Sequence, residues 1–498
     1  MDKKQKQENI VERPPIIAVM GHIDHGKSAL LDYIRKSNIV AGEAGGITQH
    51  ISAYEVEHNN KKITFLDTPG HAAFTAMRSR GAEIADIAIL IVSAEEGPKT
   101  QTIEAYESIK KAGVPFIVAI NKIDRPEANI EKTKQQLMEK EIYLEGYGGD
   151  VPFSPISAKS GQGIPELLDT LLLMAELEEL KGDKNKQAEG FILETKLDPK
   201  KGVCATLIIT DGSLKIGDYV VNEDKFTSIR TLENFLGEQI KEAYFSSPVQ
   251  ITGFKENPSV GSVFNIYKSK KEAENVAKEY SGIKTDINQN ENKENKNNFT
   301  ISLIIKADVL GSIEAIKHEI NKIVSEKTNL KIISTGVGNI TENDIKTAGG
   351  DTNTIIVGFS VKADNGAKNL AEKMGIKINT FDIIYKLTEW LEEEIILKTP
   401  KVKTEKIIGK IKVLRVFSQT KDKQVLGGRV LEGSISVKSK IKIIRRDYEI
   451  GEGKILGLQS QKLEVNEVKE GAEFGMMIES KKEIAPGDVL NVVIIVEE

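Results

Sequence analysis

The chain has 498 residues, 39% of them hydrophobic, and 69 Lys and Arg against 74 Asp and Glu leave a net charge of −5. That length predicts about three or four globular domains, and the near balance of charge excludes nucleic-acid binding through composition as a whole. The single cysteine, Cys204, excludes an internal disulfide and a Cys-x-x-Cys zinc site, and the longest apolar runs, 87–92 and 492–496, are too short to span a bilayer. With no apolar signal core at Met1-Asp2-Lys3-Lys4-Gln5, a cytoplasmic protein without membrane association is expected.

Residues 1–12 are polar and aperiodic and read as a loose tail. Pro14-Pro15 opens a strand, Ile16 to Met20, followed directly by Gly21-His22-Ile23-Asp24-His25-Gly26-Lys27-Ser28 and the helix-forming Ala29-Leu30-Leu31. This is a P-loop in its strand–loop–helix setting, with Lys27 for the β/γ-phosphates and Ser28 for Mg²⁺. Apolar runs at 63–66, 87–92, 114–120 and 151–156 then alternate with helix-like stretches near 71–84, 100–112, 127–140 and 164–175. Buried parallel strands separated by crossover helices are the doubly wound α/β pattern, whose ligands sit at the carboxyl ends of the strands.

The remaining short motifs fall at those ends. Gly42-Glu43-Ala44-Gly45-Gly46-Ile47-Thr48 is a loop of the kind ordered by γ-phosphate and metal, with Thr48 as the metal ligand. Asp67-Thr68-Pro69-Gly70-His71 offers Asp67 to Mg²⁺ through water and the Gly70 N–H to a γ-phosphate. Asn121-Lys122-Ile123-Asp124 offers a carboxylate to the two adjacent donors of guanine, a pair adenine lacks, and Ser157-Ala158-Lys159 offers a backbone N–H to the guanine carbonyl. Each motif alone also reads as an ordinary turn. The P-loop followed in order by 67–71, 121–124 and 157–159 at strand ends defines a GTP-binding domain, and Asn121 and Asp124 disfavour a P-loop kinase or ATPase.

Beyond it, short strands with Gly turns over 188–268 predict a β-barrel, with Cys204 as core filler. Residues 270–280 read as a short polar helix, and 286–298, nearly all Asn, Lys, Glu and Gln, as a linker. Residues 299–379 return to an α/β pattern, in which Gly336-Val337-Gly338 lacks the third glycine of a dinucleotide fingerprint. One amphipathic helix, Phe381 to Leu397, carries Ile383, Leu387, Leu391 and Ile395 and is closed by Pro400, so it reads as a rigid strut. From about 404 the barrel pattern recurs: Glu432-Gly433-Ser434-Ile435 echoes Asp211-Gly212-Ser213-Leu214. Between Lys401 and Arg446 fourteen Lys and Arg face three acids, which is either a strong local positive field or a solvated, strand-rich surface.

Three stretches, 21–28, Gly45-Gly46-Ile47-Thr48-Gln49-His50 and 67–71, make the chain resemble the translational GTPases. Ile305 to Ala315 and Gly336 to Asp344 narrow the resemblance to bacterial-type translation initiation factor 2, from about Arg13 to Glu498. The resemblance implies a tail (1–12), a G domain (13–182), a β-barrel domain II (188–268), a helix and linker (269–298), an α/β domain III (299–379), a connector helix (380–398) and a second β-barrel (404–498) that takes the initiator tRNA. It implies GTP and GDP with Mg²⁺ as cofactors. It further implies a monomer working with the 30S and 50S ribosomal subunits, formylmethionyl initiator tRNA and other initiation factors, whose GTP hydrolysis the ribosome stimulates.

Within that frame His71 orients the attacking water behind an apolar gate of Ile23 and Ile47. Ser28 stands where the family usually has threonine and keeps the hydroxyl, and a short form without the long N-terminal region of many relatives is expected. In the last barrel, Gly428 and Phe474 stand where relatives place two cysteines. Phe474 beside Gly475 then forms either an aromatic wall for the methionine thioether or a plug of core, and Arg445 or Arg446 donates to the formyl or ester carbonyl.

Overall fold

The computed structural model describes residues 10–35, 48–284, 299–323, 328–349, 353–398, 403–420, 422–461 and 463–497, in two bodies, 1–398 and 399–498. β1 (Ile10–Glu12) lies ahead of a six-stranded sheet. That sheet comprises β2 (Ile16–Gly21), β3 (Ser52–His58), β4 (Lys61–Asp67), β5 (Ile87–Ser93), β6 (Phe116–Asn121) and β7 (Phe153–Pro155) in the order β3-β4-β2-β5-β6-β7. Every neighbouring pair is parallel except the edge pair β3–β4. The helices are α1 (Lys27–Arg35), α2 (Thr75–Ile84), α3 (Thr100–Ala112), α4 (Ile130–Met138) and α5 (Ile164–Leu177). With helices on both faces, β2 and β5 are buried at every residue, which is why they read as unbroken apolar runs.

Three local expectations change. Residues 10–12 are not tail: they pair antiparallel with β8 (Lys181–Asp183), through main-chain bonds that no apolar pattern announces. β3 was invisible because only Tyr54 of its residues is buried, as befits an edge strand. The helix expected near 71–84 starts at Thr75, because His71 caps a separate 3₁₀ turn, Ala72–Phe74, accepting the Ala73 N–H on its side chain.

The second sheet runs β13-β12-β17-β9-β10-β16-β14. It is built from β9 (Glu189–Asp198), β10 (Gly202–Asp211), β12 (Tyr219–Asn222), β13 (Lys225–Ser228), β14 (Thr231–Asn234), β16 (Pro248–Thr252) and β17 (Val263–Tyr267). β11 (Ser213–Lys215) and β15 (Glu242–Tyr244) form their own pair. Cys204 is buried in β10. α6 (Lys270–Lys284), longer than its expected 270–280, packs Ala273 and Ala277 on Val221. The expected linker 286–298 lies outside the described residues.

A four-stranded, all-parallel sheet follows, ordered β19-β18-β20-β21. Its elements are β18 (Phe299–Ala307), α7 (Leu310–Ile323), β19 (Thr328–Val337), α8 (Glu342–Ala348), β20 (Thr354–Phe359), α9 (Asn365–Met374) and β21 (Ile378–Phe381). α10 (Ile384–Lys398) begins later than expected because Phe381 pairs within β21. Nor does it stand free as a strut: Ile384, Leu387, Leu391 and Ile395 are buried in one cluster with Ile301, Leu303 and Ile316. The same cluster contains Ala73, Phe74 and Met77 from the nucleotide domain. Pro400 lies outside the described residues.

The second body is a ring. β22 (Lys403–Gln419), β29 (Val489–Glu497), β24 (Lys440–Arg445), β25 (Tyr448–Ser460), β28 (Glu473–Glu479) and β23 (Lys423–Ser436) pair in turn, and β22 pairs with β23 to close it. β26 (Leu463–Val465) and β27 (Glu467–Lys469) are short additions on β25 and β23. The connectivity repeats that of the first barrel. β9 pairs with β10 and β17 as β22 pairs with β23 and β29, and β12 joins β17 as β24 joins β29.

Candidate functional site

Gly21 through Ser28 connect the end of β2 to the start of α1, so the loop lies at the carboxyl end of the sheet, against the positive end of a helix. Gly26 has φ +92°, and a Cβ there would stand 2.3 Å from Asn121 Nδ2. That close approach carries a bond: Asn121 Nδ2 donates to the His25 carbonyl at 2.8 Å while Asn121 Oδ1 accepts the Ala158 N–H at 2.9 Å. Ser157 Oγ donates to Asp124 Oδ1 at 2.7 Å and holds that carboxyl below the usual carboxylate range. Asp24 and Lys122 both take left-handed backbone, φ 65° each, without being glycine, a strain that clusters at ligand loops. The structure thus brings the P-loop, residues 121–124 and residues 157–158 into one constellation.

The Lys27 ammonium is buried and donates to the carbonyls of Gly21 at 3.0 Å and His22 at 2.8 Å. Burial pushes its pKa down and Asp67 pulls it back. Gly70 comes so close that a Cβ there would lie 2.4 Å from Lys27 Nζ. Thr68 Oγ1 donates to the Val19 carbonyl at 2.8 Å, and Pro69 is buried beside it. His25 is fully buried, and burial followed by the charges of His22 and Lys27 pushes it down to about 3.

Ser28 Oγ and Thr48 Oγ1 are 3.0 Å apart, and Thr48 Oγ1 lies 3.3 Å from Asp67 Oδ2. Two hydroxyls and a carboxylate so placed are a hard-oxygen set, and among the described residues no cluster of three His, Cys, Asp or Glu competes with it. That composition fits Mg²⁺, which takes one or two protein ligands and fills its shell with phosphate and water. Residues 42–47, including Ile47, lie outside the described residues.

His71 is 9% exposed. Its Nδ1 accepts the Ala73 N–H at 3.0 Å, and burial pushes the ring down to about 4, so it is neutral with its proton on Nε2.

Sequence reasoning passed over three side chains here. Gln101 Oε1 accepts the Ile23 N–H of the P-loop at 3.0 Å. The fully buried Arg78 donates to the carbonyls of Gly70, at 2.9 Å, and His71, and pairs with Glu104 at 2.7 Å. Tyr385 sets its ring edge-to-face on that of His71. An arginine on an otherwise apolar helix face was the one visible signal.

In the second body, register places Gly428 directly opposite Phe474, and Gly427 opposite Gly475. Phe474 is 6% exposed and belongs to the barrel's core cluster with Ile411 and Met476, so the aromatic-wall expectation gives way to core. Inward pleating on adjacent strands is the reason. Arg445 bonds Asp488 with Nε and Nη2 at 2.8 Å each and the Glu483 carbonyl at 2.9 Å, while Arg446 is exposed in the following turn.

A doubly wound P-loop domain, a barrel and a guanine-type base loop define a translational GTPase, and the chain matches three families of that class. Residues 12–176 match the Elongation factor Tu GTP binding domain, 187–266 Elongation factor G domain 2 and 269–392 Translation-initiation factor 2. Translation initiation factor IF-2 of Bacillus licheniformis is 42% identical over 513 residues, covering 100% of this chain and 71% of that protein. Its counterpart in Bacillus pumilus is 43% identical over 504 residues, covering 98% and 70%. The crystal structure of GDP-bound aIF5B from Aeropyrum pernix is 27% identical at a TM-score of 0.46, covering 97% of this chain and 92% of that one. The chain belongs to the translation initiation factor 2 family.

Proposed function

We propose that this GTPase holds formylmethionyl initiator tRNA on the 30S subunit, promotes joining of the 50S subunit and hydrolyses GTP once they join. The observation that supports it most is the doubly bonded Asn121, which locks the phosphate loop to a base loop whose Asp124 is braced by Ser157. Asp124 accepts from the two guanine donors, the 157–159 loop supplies an N–H to the guanine carbonyl, and Lys27 leaves its carbonyl partners for the β/γ-phosphates. Ser28, Thr48 and, through water, Asp67 would hold Mg²⁺, which would neutralise phosphate charge there. The Gly70 N–H meets the γ-phosphate and His71 orients the attacking water. Positioning dominates phosphoryl transfer, so His71 acts by placement rather than by proton affinity.

The basic strands of the second body give salt-sensitive affinity for the tRNA acceptor end, with exposed Arg446 its leading contact and Gly428, Arg445, Phe474 and Gly475 shaping that end of the barrel. The protein works as a cytoplasmic monomer alongside other initiation factors. Among the described residues no helix is long and apolar enough to cross a membrane.

The test is GTP hydrolysis with 30S and 50S subunits, with and without formylmethionyl-tRNA, for wild type and His71→Ala. Turnover should need both subunits and collapse in the variant with GDP affinity retained. Ribosome-independent turnover, or a fully active variant, would overturn the reading.

A further inference from the structure

The ring of His71 rests on a residue more than three hundred positions away. Its centroid lies 4.1 Å from that of Tyr385 at an interplanar angle of 85°, and 6.2 Å from that of Phe74 at 72°. The backbone under it is clamped from two sides: Ala73, Phe74 and Met77 are buried in the cluster containing Ile313, Ile316, Ile384 and Leu387, and Arg78 holds the carbonyls of Gly70 and His71. Only the imidazole side chain has a soft wall, because Tyr385, the second residue of α10, is itself 40% exposed. Burial, followed by the charges of Asp24 in the P-loop and Glu319 on α7, raises the pKa of the Tyr385 hydroxyl.

A second link reaches the same turn. Gln49, next to Thr48, donates through Nε2 to the Asp382 carbonyl at 2.8 Å, two residues before α10 begins. The segments after the candidate metal ligand Thr48 and the candidate γ-phosphate contact Gly70 therefore end on the start of one helix. A histidine that orients water must turn a ring nitrogen toward it, whereas here the ring is walled in and Nδ1 is taken by Ala73.

We propose that Tyr385 is a positioning residue for GTP hydrolysis: in the ribosome-free protein it holds the His71 ring in a resting orientation against α10, and displacement of the start of α10 releases the ring toward the attacking water. This rests on the reading of His71 given above. An edge-to-face pair of ordinary strength biases such an equilibrium by roughly two- to tenfold.

The experiment measures ribosome-free and ribosome-stimulated GTP turnover of Tyr385→Ala, Tyr385→Leu, Tyr385→Phe, His71→Ala and the double variant Tyr385→Ala/His71→Ala, with fluorescent GDP affinity as the check of folding. Tyr385→Ala and Tyr385→Leu should raise ribosome-free kcat by roughly two- to tenfold at unchanged KM. Tyr385→Phe, which keeps the ring, should turn over as wild type does, and the double variant should show no gain over His71→Ala. Unchanged or lower ribosome-free turnover in both ring-removing variants, or a gain that survives in the double variant, overturns the proposal. If His71→Ala alone keeps full ribosome-stimulated turnover, the role of His71 falls and this proposal with it. If that variant collapses while Tyr385→Ala and Tyr385→Leu are inert, only the hold by Tyr385 falls.

Discussion

Asn121 Nδ2 donates to the main-chain carbonyl of His25 over 2.8 Å, and the bond exists only because Gly26, the next residue, has no Cβ to push the two loops apart. The phosphate loop and the base loop therefore act as one unit.

Gly26→Ala should weaken GTP and GDP together, by roughly tenfold or more, since it adds left-handed strain of about 1–3 kcal/mol to a contact with no room. Asn121→Ala should do the same through two lost buried partners at about 1–3 kcal/mol each. Fluorescent-nucleotide titration reads both. A loss confined to one nucleotide, or none, would contradict the coupling.

Asp124→Asn should exchange guanine for xanthine preference, because the amide presents a donor where the carboxylate accepted. Two charge-assisted bonds are worth roughly 3–6 kcal/mol. Competition between GTP and xanthosine triphosphate in a filter-binding assay gives the answer, and an unaltered ratio rules the assignment out.

Arg78→Met keeps the apolar stem but strips the carbonyls of Gly70 and His71 of their donor and leaves Glu104 without its partner. Stability should fall by roughly 2–4 kcal/mol in urea unfolding. Ribosome-stimulated turnover should fall with it, since the turn carrying His71 loosens. Full turnover at reduced stability would make Arg78 structural only.

His25 and His71 are pushed down to about 3 and about 4 by burial, against an unfolded value near 6.5. Between pH 6.5 and 4 the unfolded chain binds more protons at these positions than the folded one, so their contribution makes stability rise with pH there and vanish as a slope above 6.5. His71→Gln should flatten the urea-midpoint slope between pH 5 and 7, and the His71 ring should stay neutral by NMR at pH 5.5. An unchanged slope together with a protonated ring would refute the burial argument.

What the sequence determined by itself is what lies in consecutive residues. A phosphate is cradled by neighbouring backbone N–H groups, and a guanine is read by a carboxylate at fixed spacing from its strand. The motifs at 21–28, 67–71, 121–124 and 157–159 can therefore be read one window at a time, as can β2 and β5, whose burial on both faces leaves no charged residue and only the terminal Ser93 polar. The pairing of β1 with β8 was not legible, because it is carried by main-chain groups that every residue shares.

Only the tertiary structure decided which side chains hold the site in place. Gln101 on Ile23 and Tyr385 against His71 are contacts between elements far apart in the chain, and Arg78 reaches Gly70 and His71 only because the helix that carries it folds back under their turn. In the last barrel the sequence set Gly428 and Phe474 side by side as candidates for one cavity, and register does oppose them. Whether that pair lined a ligand pocket or the core depended on pleat parity and barrel closure: side chains alternate faces at every residue, and only the closed ring assigns one face to the interior.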